Sequence, residues 1–151
     1  MYEHLELERQ GAVCTVWLNR PDALNALNTQ LMSEIEQVSK SFLDDEDTRV
    51  VIFAGRGKHF SAGADLKQPP AAEPPSMIKR RRQSGLGGRM IRALLEINQV
   101  TIAAVHGAAL GGGACIPTAC DFRIGTESCF MGYPEVNLGI NLMWTSLPLA
   151  V

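Results

Sequence analysis

The stretch VTIAAVHGAALGGG, residues 100–113, is the most informative part of this sequence for its fold. Its first six residues, Val100–Val105, are apolar or β-branched and predict a buried strand. They lead into a turn that ends in three glycines at 111–113, and the apolar residues from there to position 120 predict a helix. The stretch therefore predicts a strand, a glycine turn and a helix in direct succession.

The glycine turn at 111–113 is suited to negative charge. Backbone N–H groups at a helix N-terminus, with the helix dipole behind them, favour a developing anion. A nucleotide-phosphate loop is one alternative, but the spacing is neither GxGxxG nor GxxxxGK[ST], and residues 55–58 complete neither motif. A turn with a purely structural role remains open on this stretch alone.

The flanking sequence alternates strand and helix patterns. Residues 13–18, 50–54 and 122–124 are short apolar runs that predict further strands. A helix is predicted from Asn28 onward, with apolar residues at helical spacing at positions 31, 35, 38 and 42. The helical pattern of residues 77–97 contains glycines at 85, 87 and 88, so it predicts two helices or one kinked helix. This rhythm indicates an α/β fold in a single domain spanning residues 1–151.

A second glycine-bearing loop, HFSAGADLK at residues 59–67, directly follows the strand predicted at 50–54. Its small residues allow a ligand to approach the backbone closely, and free N–H groups in such a turn donate to anions. A tight structural turn would have a similar sequence. The Pro-rich residues 68–76 that follow predict a mobile surface loop.

Composition excludes several classes of function. The chain is 46% hydrophobic and 20% charged, with a net charge of -2, which gives no reason to expect a nucleic acid or an anionic membrane as partner. No apolar run is long enough to cross a bilayer, and the N-terminus does not resemble a signal peptide, so we expect a cytoplasmic protein. The four cysteines form no CxxC pair, so we expect reduced thiols and no metal site.

Five separated motifs, in order, resemble the crotonase (enoyl-CoA hydratase/isomerase) superfamily. They are NRPDALNAL at 19–27, the loop at 61–67, HGAALGGG at 106–113, ACD at 119–121 and PEVNLG at 134–139. The resemblance implies an α/β crotonase-like spiral of repeated ββα units. It also implies an acyl-coenzyme A thioester as substrate, with no further cofactor.

The resemblance also assigns site residues. In this family two main-chain N–H groups hold the thioester oxygen as the enolate forms, and they match Ala64 and Gly112. Such an oxyanion hole often contributes about 2.7–4 kcal/mol per donor. The residues implied to contact the coenzyme A part are Ala23, Ala62, Ala64, Asp65, Leu66, Lys67 and Gly112.

The carboxylates decide which reaction is expected. Hydratases of the family use two glutamates; the second matches Glu135, but Cys115 occupies the position of the first. A neutral thiol cannot act as the missing base, although a thiolate would if the pKa of Cys115 were lowered. One carboxylate suffices to move a proton between C2 and C4, so we expect a single-carboxylate enoyl-CoA isomerase. A hydratase lacking its first glutamate and a non-catalytic acyl-CoA-binding fragment are the alternatives.

The end of the sequence departs from the family pattern. Met143 and Trp144 replace a glycine-rich turn, and they either reshape the acyl pocket or belong to the core. Family members continue beyond the position of Val151 with helices that cover the site and build a trimer. We therefore expect a chain that stops before those helices, with exposed apolar faces that favour association into a homo-oligomer. A partly disordered monomer is the alternative.

Overall fold

Two small sheets and four α-helices make up the computed structural model, which describes residues 2–67, 75–139 and 144. The strands are β1 (Leu5–Gln10), β2 (Val13–Leu18), β3 (Val50–Gly55), β4 (Val100–Val105), β5 (Ala108–Leu110), β6 (Phe122–Gly125) and β7 (Phe130–Gly132). The helices are α1 (Thr29–Ser41), α2 (Met77–Ser84), α3 (Leu86–Leu95) and α4 (Gly112–Ala119), with short 3-10 helices at Pro21–Ala23, Phe42–Asp44 and Pro134–Leu138.

The larger sheet has the strand order β1-β2-β3-β4-β6. β1 pairs antiparallel with β2, and the other neighbours are parallel. β5 and β7 form a separate parallel pair. In the sequence, β5 connects β4 to the start of α4. This arrangement confirms the predicted α/β class.

The core lies between the larger sheet and the helices α1 and α3, which contact each other. Large, fully buried side chains come from both layers and include Leu18, Phe53, Leu31, Ile35, Met90, Ile91 and Leu94. Burial of this kind stabilises the fold by roughly 25 cal/mol per Å² of apolar surface. α1 begins where the sequence predicts, because the Asn28 side chain accepts a hydrogen bond from Leu31 N at 2.8 Å.

Most predicted elements are confirmed, and three strands are additional. The pattern at 77–97 forms two helices that meet at Gly85. β1 was not predicted because it is an edge strand with only Leu5 buried, and β5 and β7 are too short to show a period of two. The predicted mobile loop falls mainly on residues 68–74, outside the described residues; Ser76 belongs instead to the start of α2, where its Oγ accepts from Lys79 N at 3.3 Å.

The last strands expose large apolar side chains. Phe122, Ile124 and Phe130 are 59%, 64% and 54% exposed, respectively. Parallel sheets are usually covered on both faces. This surface is therefore one place in the described structure where exposed apolar side chains lie on the sheet, as the prediction of exposed apolar faces requires.

Candidate active site

The 61–67 loop is fixed on both sides by backbone hydrogen bonds. On one side, Ser61 N donates to Ala108 O and Leu110 N donates to Ser61 O, both at 3.0 Å. These two bonds pair the loop with β5. On the other side, Leu27 N donates to Gly63 O at 2.7 Å and Asp65 N donates to Leu27 O at 3.2 Å. These bonds use the groups before and after Ala64, whose own N–H has no acceptor in the described part of the chain.

Close packing holds the loop against the strand that precedes α4. Gly63 has φ +87°, and a methyl group built on it would lie 2.5 Å from Leu110 O. Ser61 is fully buried, and its Oγ would lie 2.6 Å from a methyl group on Gly113. Only glycine fits at Gly63 and Gly113, and this allows the loop and the glycine turn to pack side by side.

The glycine turn, residues 111–113, begins α4. Gly111 has φ +51° and ψ -124°, and its N–H donates to Gly132 O at 2.9 Å, which ties the turn to β7. Gly112 is the first residue of the eight-residue helix, so its N–H has no intrahelical partner. No other acceptor for this N–H occurs among the described residues. The sequence-predicted pair, Ala64 and Gly112, thus presents two free main-chain donors on adjacent segments.

The carboxylate of Glu135 lies directly over the glycine turn. Glu135 is in the 3-10 helix Pro134–Leu138, and a methyl group on Gly111 would lie 2.5 Å from its Oε1. Its Oε2 is buried, and no described residue donates a hydrogen bond to it. Buried polar atoms are normally hydrogen-bonded, so this oxygen is a group available to accept a proton.

Cys115 lies one helical turn into α4, close to Glu135. Its side chain is buried, and Sγ contacts Gly111 O at 3.4 Å. Burial, reinforced by the negative charge of Glu135, raises the pKa of the Cys115 thiol to about 12. A thiolate base would need a lowered pKa, and the pKa of Cys115 is raised instead, so the thiol is protonated at neutral pH.

Tyr133 is a neighbour of the site that sequence reasoning missed. Its hydroxyl lies 2.6 Å from Thr118 Oγ1 and 3.4 Å from Ala114 O, which links the segment before Glu135 to α4. Burial raises the pKa of Tyr133; the hydrogen bond with Thr118 acts in the opposite direction, and the negative charge of Glu135 adds to the rise. Its position two residues before Glu135 was the only available sequence signal, and it does not predict these contacts.

Apart from Gly112, which begins α4, the residues expected to contact coenzyme A lie on two connected segments. Ala62 N donates to Leu24 O at 3.0 Å, which joins the 61–67 loop to the segment of Ala23, and Ala23 O accepts from Ala26 N at 3.0 Å. Leu66 is 90% exposed. The two segments are thus brought together, and the ligand contacts of Ala23, Ala62, Leu66 and the rest of the loop stay predictions.

Asp65 and Lys67 contribute to the structure of the loop. Asp65 Oδ2 pairs with Arg20 Nη1 at 2.9 Å, and both side chains are largely buried. The same Arg20 nitrogen also donates to Ala26 O. Lys67 N donates to Asp65 Oδ1 at 3.1 Å. Asp65 therefore ties the loop to the segment that follows β2.

The described residues offer no other obvious chemistry. No group of three or more His, Cys, Asp or Glu side chains able to hold a metal occurs among them. None of the helices in the described ranges is long and apolar enough to span a membrane. What the site combines is two free N–H donors with one unpaired carboxylate, an arrangement that can hold an oxyanion and move a proton.

Comparisons with known proteins define the class. The profile of the enoyl-CoA hydratase/isomerase family matches residues 8–150. The chain belongs to this family, and it has the crotonase fold. It is 41% identical over 135 residues to the short-chain-enoyl-CoA hydratase of Clostridium acetobutylicum, covering 89% of this chain and 51% of that protein. It is 37% identical over 140 residues to the crotonyl-CoA hydratase of Syntrophomonas wolfei, covering 92% and 53%.

Solved structures agree with this assignment. An enoyl-CoA hydratase from Shewanella pealeana superimposes with a TM-score of 0.87 at 28% identity, over 98% of this chain and 56% of that chain. An enoyl-CoA hydratase from Bacillus anthracis gives a TM-score of 0.84 at 31% identity, over 94% and 55%. The chain spans about half the length of the relatives it matches.

Proposed function

We propose that this chain binds an enoyl-coenzyme A thioester and moves its double bond, with Glu135 as the sole acid and base. The main-chain N–H groups of Ala64 and Gly112 hold the thioester oxygen. Glu135 removes a proton from C2, the enolate charge develops on that oxygen, and the same carboxyl group returns the proton at C4. Atoms balance without water or any other reactant.

One observation carries this proposal: the carboxylate at the glycine turn faces a thiol instead of a second acid. Glu135 Oε2 is buried without a partner, and Cys115 beside it has a pKa of about 12. A protonated thiol cannot activate water as a general base, whereas one carboxylate is enough for a proton shuttle. The remaining acid of the candidate site, Asp65, is paired with Arg20.

The second candidate is hydration. It is favoured by the names of the relatives, which are hydratases for crotonyl-CoA and for short-chain enoyl-CoA. In this case the water would need an activating group other than Cys115. The same names support a short acyl chain as the substrate of this protein in either reaction.

The test is a paired assay of the parent chain and Glu135→Gln with a 3-enoyl-CoA and a 2-enoyl-CoA. We expect migration of the double bond by the parent and a loss of about 10²–10⁴-fold in the variant, because the acid and base are one group. Glu127→Gln, at an exposed position, is the matched control and should leave turnover unchanged. Incorporation of solvent oxygen by the parent would support hydration instead.

A third outcome separates an enzyme from a binder. If the parent and Glu135→Gln both bind the thioesters and neither converts them, the chain is an acyl-CoA binder and the enzymatic proposal is wrong. The proposed partners are otherwise an acyl-CoA and further copies of the chain. The exposed Phe122, Ile124 and Phe130 support association, and sedimentation analysis would test it.

A further inference from the structure

The indole ring of Trp144 is inserted between α3 and α4. A methyl group built on Gly87 would lie 2.1 Å from Trp144 Cε2, and one built on Gly112 would lie 2.4 Å from its Cζ3. Neither glycine has a positive φ, so backbone conformation does not require glycine at these positions. What each glycine provides is room for the ring, which packs directly on two backbones.

This position places the ring beside the groups proposed to react. Gly112 carries one of the two oxyanion donors, and Glu135 lies over the preceding residue, Gly111. The methyl position on Gly112 is also 3.2 Å from Leu27 Cδ1, and Leu27 is the bridge partner of Ala64. A thioester held by the N–H groups of Ala64 and Gly112 would therefore lie next to the indole ring.

The two ends of the candidate site differ in exposure. Near the 61–67 loop the surface is open, with Leu66 90% and Leu24 46% exposed. On the α3 side the neighbouring residues Leu86 and Met90 are buried, and Trp144 packs against this core. A large, polar coenzyme fits the open end, so the acyl chain extends toward the closed end.

We propose that Trp144 is a specificity-determining residue: its indole forms the end wall of the acyl pocket and restricts the protein to short acyl chains. This proposal rests on the function proposed above. The ring is rigid and packs on two helix backbones, so an acyl chain that reached this position would have to displace it from that contact. A long acyl chain would need that displacement, and a four-carbon chain would not.

The test measures binding, so that it does not depend on turnover. Dissociation constants for butyryl-CoA and decanoyl-CoA, which are saturated and can be neither isomerised nor hydrated, are determined by calorimetry. The proteins are the parent, Trp144→Ala, Trp144→Phe and the control Trp17→Phe. Trp17 is the only other tryptophan and stacks on Arg56 at 3.9 Å, on the larger sheet.

We expect the parent to prefer butyryl-CoA. Trp144→Ala should shift the ratio of the two Kd values toward decanoyl-CoA by about tenfold or more, because pockets that differ by a few methylene groups discriminate on this scale. Trp144→Phe should shift it in the same direction by less, and it decides the question if Trp144→Ala does not fold. Trp17→Phe should leave the ratio unchanged.

Two failures are distinguishable. If the parent binds both ligands equally, or if the folded Trp144 variants keep the parent's ratio, this inference is overturned while the proposed function stands. If the parent binds no acyl-CoA of either length, the proposed function is wrong and this inference fails with it.

Discussion

The 61–67 loop and the glycine turn each bring a free main-chain N–H to the candidate site, but they are held in place differently. In the loop, polar side chains are partnered: Asp65 pairs with Arg20, and Ser61 Oγ donates to Asn25 O at 2.8 Å. In the turn, the backbone of Gly111 sets the geometry, and the carboxylate of Glu135 above it has a buried oxygen without a donor.

This difference separates structural from chemical roles. Buried polar groups are normally hydrogen-bonded, since leaving one unpaired costs about 1–3 kcal/mol. The loop follows that rule, and its acid stabilises the fold. The turn departs from it at Glu135, and such a departure is expected where a group must exchange protons with a ligand.

Gly111→Ala should strongly lower turnover by changing the glycine turn. The added methyl group would lie 2.5 Å from Glu135 Oε1, and alanine is strained at φ +51°. Displacing the carboxylate by about 1 Å is expected to lower turnover about 100-fold. Turnover and thermal unfolding are measured together.

Gly88→Ala is the matched control for that change. A methyl group there has no atom within 4 Å, and Gly88 lies inside α3. We expect unchanged turnover and a gain in stability of about 0.5–1 kcal/mol. If Gly111→Ala folds and reacts like Gly88→Ala, the turn does not position Glu135 and the contrast is wrong.

Asp65→Asn should act on the loop through stability. The change removes the negative partner of Arg20, and both side chains are largely buried. We expect the free energy of unfolding to fall by about 1–3 kcal/mol, with acyl-CoA binding weakened and the rate of the bound complex nearly unchanged. Asp22→Asn, at an exposed position in the 3-10 helix Pro21–Ala23, should change stability by only about 0.5 kcal/mol or less.

Chemical denaturation and single-turnover rates separate these two effects. A large loss of rate in the bound complex of Asp65→Asn, with stability unchanged, would give Asp65 a chemical role. The loop and the turn would then not differ in the way proposed.

The sequence predicts the strands of this fold better than it predicts the contacts of the candidate site. The apolar runs at 13–18, 50–54 and 100–105 predict strands because β-branched and apolar residues, with one face fully buried, leave a strong local signal. The position of Glu135 over Gly111, and of Trp144 against Gly87 and Gly112, depends on residues far apart in the chain. No local pattern encodes such contacts: the resemblance to a family identified Glu135 as a site residue but did not predict its contact with Gly111.

Asp45 is a second acid whose carboxylate is hydrogen-bonded and paired. Its contribution to the stability of the fold should therefore depend on pH. Hydrogen bonds from Thr48 N and Thr48 Oγ1, both at 2.9 Å, and the nearby Arg9 lower the pKa of Asp45 to about 2. Its ordinary value is 3.8, so the charged form is favoured in the folded state. The stabilisation is fully present above pH about 4 and is lost as the pH falls toward 2.

Asp45→Asn removes this dependence. We expect the variant to be less stable than the parent at pH 6, and the difference to shrink as the pH falls toward 2. Urea unfolding at a series of pH values measures it. A difference that stays constant with pH would show that Asp45 acts through shape and not through charge.

Cys115→Ser should have the smallest effect on turnover. With a pKa of about 12, the thiol is protonated throughout the working range, so replacing it by a hydroxyl removes no base. We expect turnover within about threefold of the parent and the same pH profile between pH 6 and 9, since Glu135 alone exchanges the proton. Alkylation by iodoacetamide should be slower at the buried Cys115 than at the partly exposed Cys129. A pH profile that loses an alkaline limb in Cys115→Ser would instead make the thiol a second proton-transfer group, and the site would then contain two acid-base groups in place of one.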